Sequence, residues 1–209
     1  MCPLCHSSSF VDFSEEKRRK YLRCSNCHLV YVPKEFHLSS IEEKAEYDLH
    51  DNSVNDTGYR KFLSRIFEPM TKKISSDARG LEFGCGPGPA LAEMFKEAGY
   101  SIELYDLYFH PNENAFANKY DFITSTEVVE HLRAPKEVLN RLWSLLNVNA
   151  WLGLMTKLVI DQESFKNWHY KNDQTHICFF SKKTFEWLAS KLNAKLEFHG
   201  KDVILLQKL

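Results

Sequence analysis

The sequence predicts an α/β fold: a doubly wound, mostly parallel sheet, closed by a C-terminal antiparallel hairpin and preceded by a small N-terminal cysteine module. Three observations carry this. Over residues 75–209, apolar runs of strand length alternate with amphipathic helical patterns, the arrangement that builds a parallel sheet covered on both faces. A glycine-rich loop, FGCGPGPA, stands between the first such strand and the helix after it. The first 27 residues hold two C-x-x-C pairs.

The totals bound the answer. A chain of 209 residues allows one ordinary domain with a small appendage, and 44% hydrophobic composition builds a sizeable core, which excludes a wholly disordered protein. A formal charge of -1 and a pI of about 6.8 offer no global attraction to phosphate backbones, so nucleic-acid contact would need a local patch. No apolar stretch reaches the roughly 18 residues of a membrane span. MCPLCHSSSF lacks the charged and apolar regions of a secretory leader. The expectation is a cytoplasmic protein with no membrane insertion.

Residues 1–35 form the module, with β-prone pieces YLRC and HLVYVP. Residues 36–74 hold a polar, acidic stretch, SSIEEKAEYDLHDNSVNDTG, read as a linker or a lid over a site, and then a helix. In that helix Tyr59, Phe62, Leu63, Ile66, Phe67 and Met70 recur at the spacing of one buried face. RGLEF opens the sheet, and PALAEMFKEAGY is a helix with Leu91, Met94, Phe95 and Ala98 inward, stopped by Gly99. SIELYD and YDFITS are the next strands. PKEVLNRLWSLL begins a helix at Pro135, WLGLMT is a strand, and Ser181 caps the helix SKKTFEWLASKL. KLEFHGKDVILLQKL reads as two strands about a turn at Gly200, Lys201 and Asp202.

Glycines between a strand and a helix let the main chain approach a ligand closely, and an acid ending the next strand can hold a ribose hydroxyl pair. Gly84, Gly86 and Gly88 meet the first condition, and Asp106, 18 residues after Gly88, meets the second. The spacing G-x-G-x-G is not the G-x-G-x-x-G of dinucleotide sites, which leaves a nicotinamide oxidoreductase as one alternative.

With Glu82 before the glycines, this pattern resembles the first motif of the class I S-adenosylmethionine-dependent methyltransferases, and Asp121 with FITSTEVVEHL resembles their fourth-strand motif. The resemblance implies a Rossmann-like sheet. It further implies S-adenosylmethionine as cofactor, held by Glu82, Gly84, Cys85, Gly86, Gly88, Asp106 and Glu127. Only 14 residues separate Asp106 from Asp121, where the family usually has a helix and a third strand, so these are expected to be lost or shortened. No motif marks the adenine pocket.

In TEVVEHL, a helical turn would bring Glu127, Glu130 and His131 to one side, just past a strand's carboxyl end, as oxygen and nitrogen donors for a divalent cation. The pattern E-x-x-E-H also resembles the metal motif of small-RNA 2′-O-methyltransferases and ubiquinone-pathway O-methyltransferases, in which a downstream histidine completes the site. His176 is the candidate here, with Mg²⁺ or Mn²⁺ as the ion, lowering the pKa of an attacking hydroxyl. Without a metal, FKNWHYKNDQTH offers His169, Tyr170, Asp173 and His176 as base or substrate contacts. His176, oriented by Asp173, and His131 are the catalytic candidates.

Cys2, Cys5, Cys24 and Cys27 have the spacing of a tetrahedral zinc site, with His6 and His28 as fallback ligands and redox use as the alternative. A module this small buries little, so four thiolates on a structural Zn²⁺ would supply its folding energy. Lys17 to Lys20 are expected to form a solvated charged face. Some rRNA guanine and sugar methyltransferases resemble this architecture, with such a zinc-ribbon-like module ahead of the transferase. The acceptor, a small molecule or RNA, and its atom, with O-methylation one option, stay open. So does a zinc-dependent RNA-binding protein with a catalytically idle fold.

Overall fold

The computed structural model describes residues 1–49 and 53–209; residues 50–52, within the acidic stretch, lie outside the described residues. The chain starts with three antiparallel strands, β1 (Phe10–Glu15), β2 (Lys20–Cys24) and β3 (Val30–Tyr31). β1 was not foreseen, because Phe13 alone among its residues is buried and the strand therefore shows no alternation.

The expected linker contains a helix, α1 (Ser40–Tyr47), begun by a capping box in which Ser39 and Glu42 satisfy each other's backbone N–H groups. Arg133 tethers it, donating to the Glu43 carboxylate at 2.6 Å and to Leu38 O at 2.7 Å. α2 (Thr57–Thr71) starts at Asp56, whose carboxylate accepts from Tyr59 N–H at 2.7 Å, and buries Leu63, Ile66 and Met70 as its periodicity requires.

β4 (Arg79–Phe83), α3 (Ala90–Glu97), β5 (Ser101–Tyr105), β6 (Tyr120–Thr126), α4 (Pro135–Leu145) and β7 (Leu146–Met155) follow. Then come α5 (Gln162–Lys166), β8 (Cys178–Phe179), α6 (Lys182–Leu192), β9 (Ala194–His199) and β10 (Val203–Lys208). The main sheet runs β5-β4-β6-β7-β10-β9, parallel through β7 and antiparallel in the closing hairpin, as the sequence predicts. β5 is its edge. A 3-10 turn at Glu113–Ala117 stands where the resemblance places a helix and a further strand.

Both faces of the sheet are covered. Phe122, Trp151 and Leu205 pack toward α2 and α3, while their neighbours Ile123, Leu152 and Leu206 pack toward α4 and α6. Gly80 pairs with Phe122 in register, and a Cβ at 80 would stand 2.2 Å from the ring, so the pairing needs a bare position.

The cysteine module is continuous with the second core. Leu29, Val30, Tyr31 and Val32 are buried in the same cluster as Leu139 and Phe180, and β3 pairs antiparallel with β8. The module's sheet, β1-β2-β3-β8, is thus completed by a strand from beyond residue 170. A small apolar sheet edge needs such a partner to satisfy its backbone groups.

Candidate active site

The glycine loop crosses the end of β5, where Gly84 N–H donates to Tyr105 O at 2.7 Å. Gly84 has φ +76° and Gly86 φ +63°, the left-handed region that side chains disfavour. At Gly84 space is also closed, since a Cβ would lie 2.4 Å from Val128 Cγ2. Asp106 lies beside the loop, as expected. Its Oδ2 accepts from Gly86 N–H at 2.9 Å, and Oδ1 accepts from Tyr108 N–H at 2.9 Å and Phe109 N–H at 3.1 Å.

These groups border a cavity of about 830 Å³ at the carboxyl ends of β4, β5 and β6, which Glu127, His131, Asp173 and His176 also line. Glu82 and Gly88, read as cofactor contacts, stand outside it. Glu82 is turned beneath the loop, where its carboxylate accepts from Ala92 N–H at 2.8 Å and caps α3, a helix with no side-chain cap of its own. Burial pushes its carboxyl up to about 8. Cys85 lines the cavity, and burial raises its thiol pKa, so it is uncharged there.

An aromatic wall went unread in the sequence. Phe83 stacks on Tyr105 with centroids 5.4 Å apart, Tyr105 meets Phe116 edge-on at 4.5 Å, and Tyr47 and Tyr59 face them from α1 and α2. Phe116 belongs to the 3-10 turn that replaced a regular helix, so no periodicity marks it.

On the other side of the cavity, the expected helical turn is absent. Glu127 leaves β6 with φ +52°, and only Val129–His131 form a 3-10 turn. Glu127 stands outside the converging group although it neighbours it: its Oε2 lies 3.2 Å from the Tyr170 hydroxyl and its Oε1 is buried without a hydrogen-bond partner. Glu130, His131 and His176 do converge, with one donor atom from each within 4.8 Å of the others. Glu130 is fully buried; its Oε1 accepts from the Tyr170 hydroxyl and its Oε2 has no hydrogen-bond partner. Burial first, and the Glu127 charge second, push its carboxyl up to about 8.

His176 Nδ1 lies 2.7 Å from Tyr170 O, a carbonyl that can only accept, so Nδ1 carries hydrogen and the neutral ring keeps its lone pair on Nε2. The orienting partner is thus a backbone carbonyl. Asp173, expected in that role, bonds through Oδ1 to Thr175 N–H and Oγ1 at 2.8 and 2.6 Å, while its Oδ2 lies 3.6 Å from His176 Nε2. Burial lowers the His176 pKa against the opposing pull of Asp173. His169 is exposed beside Lys157 and joins neither group.

The four paired cysteines meet in the module. Sγ atoms of Cys2 and Cys27 are 3.5 Å apart, those of Cys5 and Cys24 3.4 Å, and all four lie within 4.8 Å of one another. Zn–S bonds of about 2.3 Å in a tetrahedron separate sulfurs by about 3.8 Å, so the donor set fits zinc. His6 turns its ring toward Lys136 and Glu137, outside this group.

Bare left-handed backbone at the carboxyl end of one strand is hydrogen-bonded to an acid ending the next, at the place where open parallel sheets take their ligands. Residues 55–197 match the family model described as a methyltransferase domain. The chain belongs to this family, the class I S-adenosylmethionine-dependent methyltransferases, and is such an enzyme. Its fold is similar to that of a SAM-dependent methyltransferase from Archaeoglobus fulgidus (TM-score 0.54, 17% identity, covering 71% of this chain and 94% of that one). It is likewise similar to magnesium protoporphyrin IX methyltransferase from Synechocystis with bound SAM (TM-score 0.55, 12% identity, covering 83% and 93%). A methyltransferase from Methanosarcina mazei aligns with TM-score 0.51 at 16% identity over 68% of this chain and 97% of its own. No curated protein matches the chain in sequence.

Proposed function

We propose that the protein transfers the methyl group of S-adenosylmethionine to a hydroxyl oxygen of a small-molecule acceptor, placed against Glu130, His131 and His176. One observation carries this. Behind the two histidines that line the donor cavity stands a buried carboxylate oxygen with no hydrogen-bond partner. Such an oxygen beside two imidazoles suits a divalent cation, Mg²⁺ or Mn²⁺, whose Lewis acidity eases deprotonation of a hydroxyl.

The chain's own residues do the rest. Asp106 and the backbone of Gly84–Gly86 hold the donor, and Phe83, Tyr105 and Phe116 offer its adenine an apolar wall. The Tyr170 hydroxyl ties Glu127 and Glu130 in place. The sulfonium is already activated, so alignment of acceptor oxygen and methyl carbon supplies most of the rate. The Nδ1–H bond of His176 favours a second reading in which its Nε2 takes the hydroxyl proton directly.

The four cysteines are read as holding structural Zn²⁺. Six cysteines with no disulfide among them accord with a reducing setting. RNA as acceptor draws little support from the run at Lys17 to Lys20: Arg19 is buried and Lys20 pairs with Asp12 at 2.9 Å.

Calorimetry on the full chain with S-adenosylhomocysteine, followed by Mn²⁺, tests the site. The wild type is expected to bind both, and Glu130→Gln to bind the nucleoside normally while losing at least about tenfold in Mn²⁺ affinity. Equal Mn²⁺ affinity in both proteins removes Glu130 from any metal site and overturns the cation reading of this cluster; the His176 reading is then tested by release of S-adenosylhomocysteine with phenols and vicinal diols.

A further inference from the structure

The turn between β1 and β2 reaches across to the loop that carries His176, and Arg19 is the centre of the contact. Its guanidinium donates to four backbone carbonyls of that one loop: Lys171 at 3.4 Å, Asp173 at 2.9 Å, Gln174 at 3.3 Å and His176 at 2.7 Å. The residue is only 9% exposed. A planar fork with five donors is the one side chain able to gather so many acceptors, and in a buried place these bonds are charge-assisted. The expectation of a solvated face is wrong at this position. The loop folds around the cation.

The neighbours act in the same direction. Glu16, also in the turn, pairs with the buried Lys171, and the Tyr21 hydroxyl donates to Lys171 O at 3.4 Å. Immediately after His176, Val32 N–H donates to Ile177 O and Ile177 N–H donates to Glu130 O, each at 2.9 Å. The loop is 3-10 at His169–Asn172 and has no regular structure from there to β8. Its own bonds, at Asp173–Thr175 and Tyr170–His176, are few, and the contacts from outside add to them. The donor side leans elsewhere, on Tyr105 O and Asp106.

We propose that Arg19 is a positioning residue for the acceptor side of the site: through it the cysteine module sets residues 171–176 and so places His176 Nε2 at the cavity. This rests on the reading of His176 as an acceptor-side group. It gives the module a task inside the enzyme. Arg19 touches no reactant and acts through the loop alone.

Arg19→Lys keeps the charge and loses the fork; Arg19→Ala loses both. In the full chain, amide exchange over residues 171–177 is expected to rise at least about tenfold in either variant, with exchange in β4 and β6 unchanged. The Nδ1–H resonance of His176, seen by imidazole nitrogen NMR, is expected to broaden or vanish, while affinity for S-adenosylhomocysteine stays within about twofold. Unchanged exchange at 171–177 in Arg19→Lys overturns the proposal, as does a rise spread equally over β4 and β6. If Arg19→Ala does not fold, the lysine variant decides alone. Should His176→Ala leave turnover and Mn²⁺ binding intact, the reading of His176 falls, while the exchange data still report whether Arg19 sets the loop.

Discussion

Asp106 holds two loops at once, so its removal tests the donor side most directly. Its carboxylate accepts from Gly86, Tyr108 and Phe109 N–H groups while bordering the cavity. Asp106→Asn is expected to weaken S-adenosylhomocysteine binding by about ten- to a hundredfold, roughly 1.4 to 2.8 kcal/mol, by calorimetry; an unaltered affinity would reassign the residue to loop structure alone. Gly84→Ala meets both a left-handed φ and Val128. A loss of about 2 to 4 kcal/mol in denaturant unfolding is expected, with Gly84→Ala/Val128→Ala recovering the contact part and not the backbone part. Glu82 supplies a pH dependence. Its folded carboxyl is raised from 4.5 to about 8, so the stability it contributes is full below the unfolded value and is lost as pH rises through about 8. Glu82→Gln still accepts from Ala92 N–H and cannot ionise. Its melting temperature should gain on the wild type from about pH 5 to about pH 9, and parallel curves would show that Glu82 does not titrate there.

At the scale of elements, α6 and the cysteine module behave differently. α6 is begun by Ser181, whose hydroxyl accepts from Thr184 N–H at 3.2 Å, and Ser181→Ala is expected to cost about 1 kcal/mol of unfolding free energy. The module brings four sulfurs together beside a core it shares with α4 and α6. Purified protein is expected to release Zn²⁺ on thiol titration, and Cys24→Ser to lose the metal together with amide protection in β3 and β8 while β4 and β6 keep theirs. Metal-free protein with protected β8 would show that burial alone holds the module. Helix boundaries, caps and strand alternation were legible because they are written within a few residues. β1 and α1 were not: one has a single buried side chain and the other buries none, so neither carries a hydrophobic period.

For the whole molecule, the donor half of the site is local and the acceptor half is not. The glycine loop and Asp106 sit at the ends of adjacent parallel strands, β4 and β5, and any chain with this order of elements brings them together. The acceptor half joins Glu130 and His131 after β6, Tyr170 and His176 from a loop beyond β7, and Arg19 from the turn after β1. Among the described residues no helix is long and apolar enough to cross a membrane. Of the four ligands expected, Glu130, His131 and His176 converge, while Glu127, left-handed at φ +52°, stands beside them on the same Tyr170 hydroxyl as Glu130.

By itself the sequence determined the parallel sheet and the four-cysteine cluster, each set by spacing along a short piece of chain, and its motifs carried the resemblance to the methyltransferases that the family match bears out. Only the tertiary structure decided that Arg19 faces inward, that Glu82 caps a helix instead of touching the cavity, and that β8 completes the module's sheet. Arg19 and β8 find their partners across more than a hundred residues, and even Glu82, bonded to Ala92 ten residues on, is placed by the packing of the strand under the helix. Desolvation makes such partners obligatory without marking them in the local pattern.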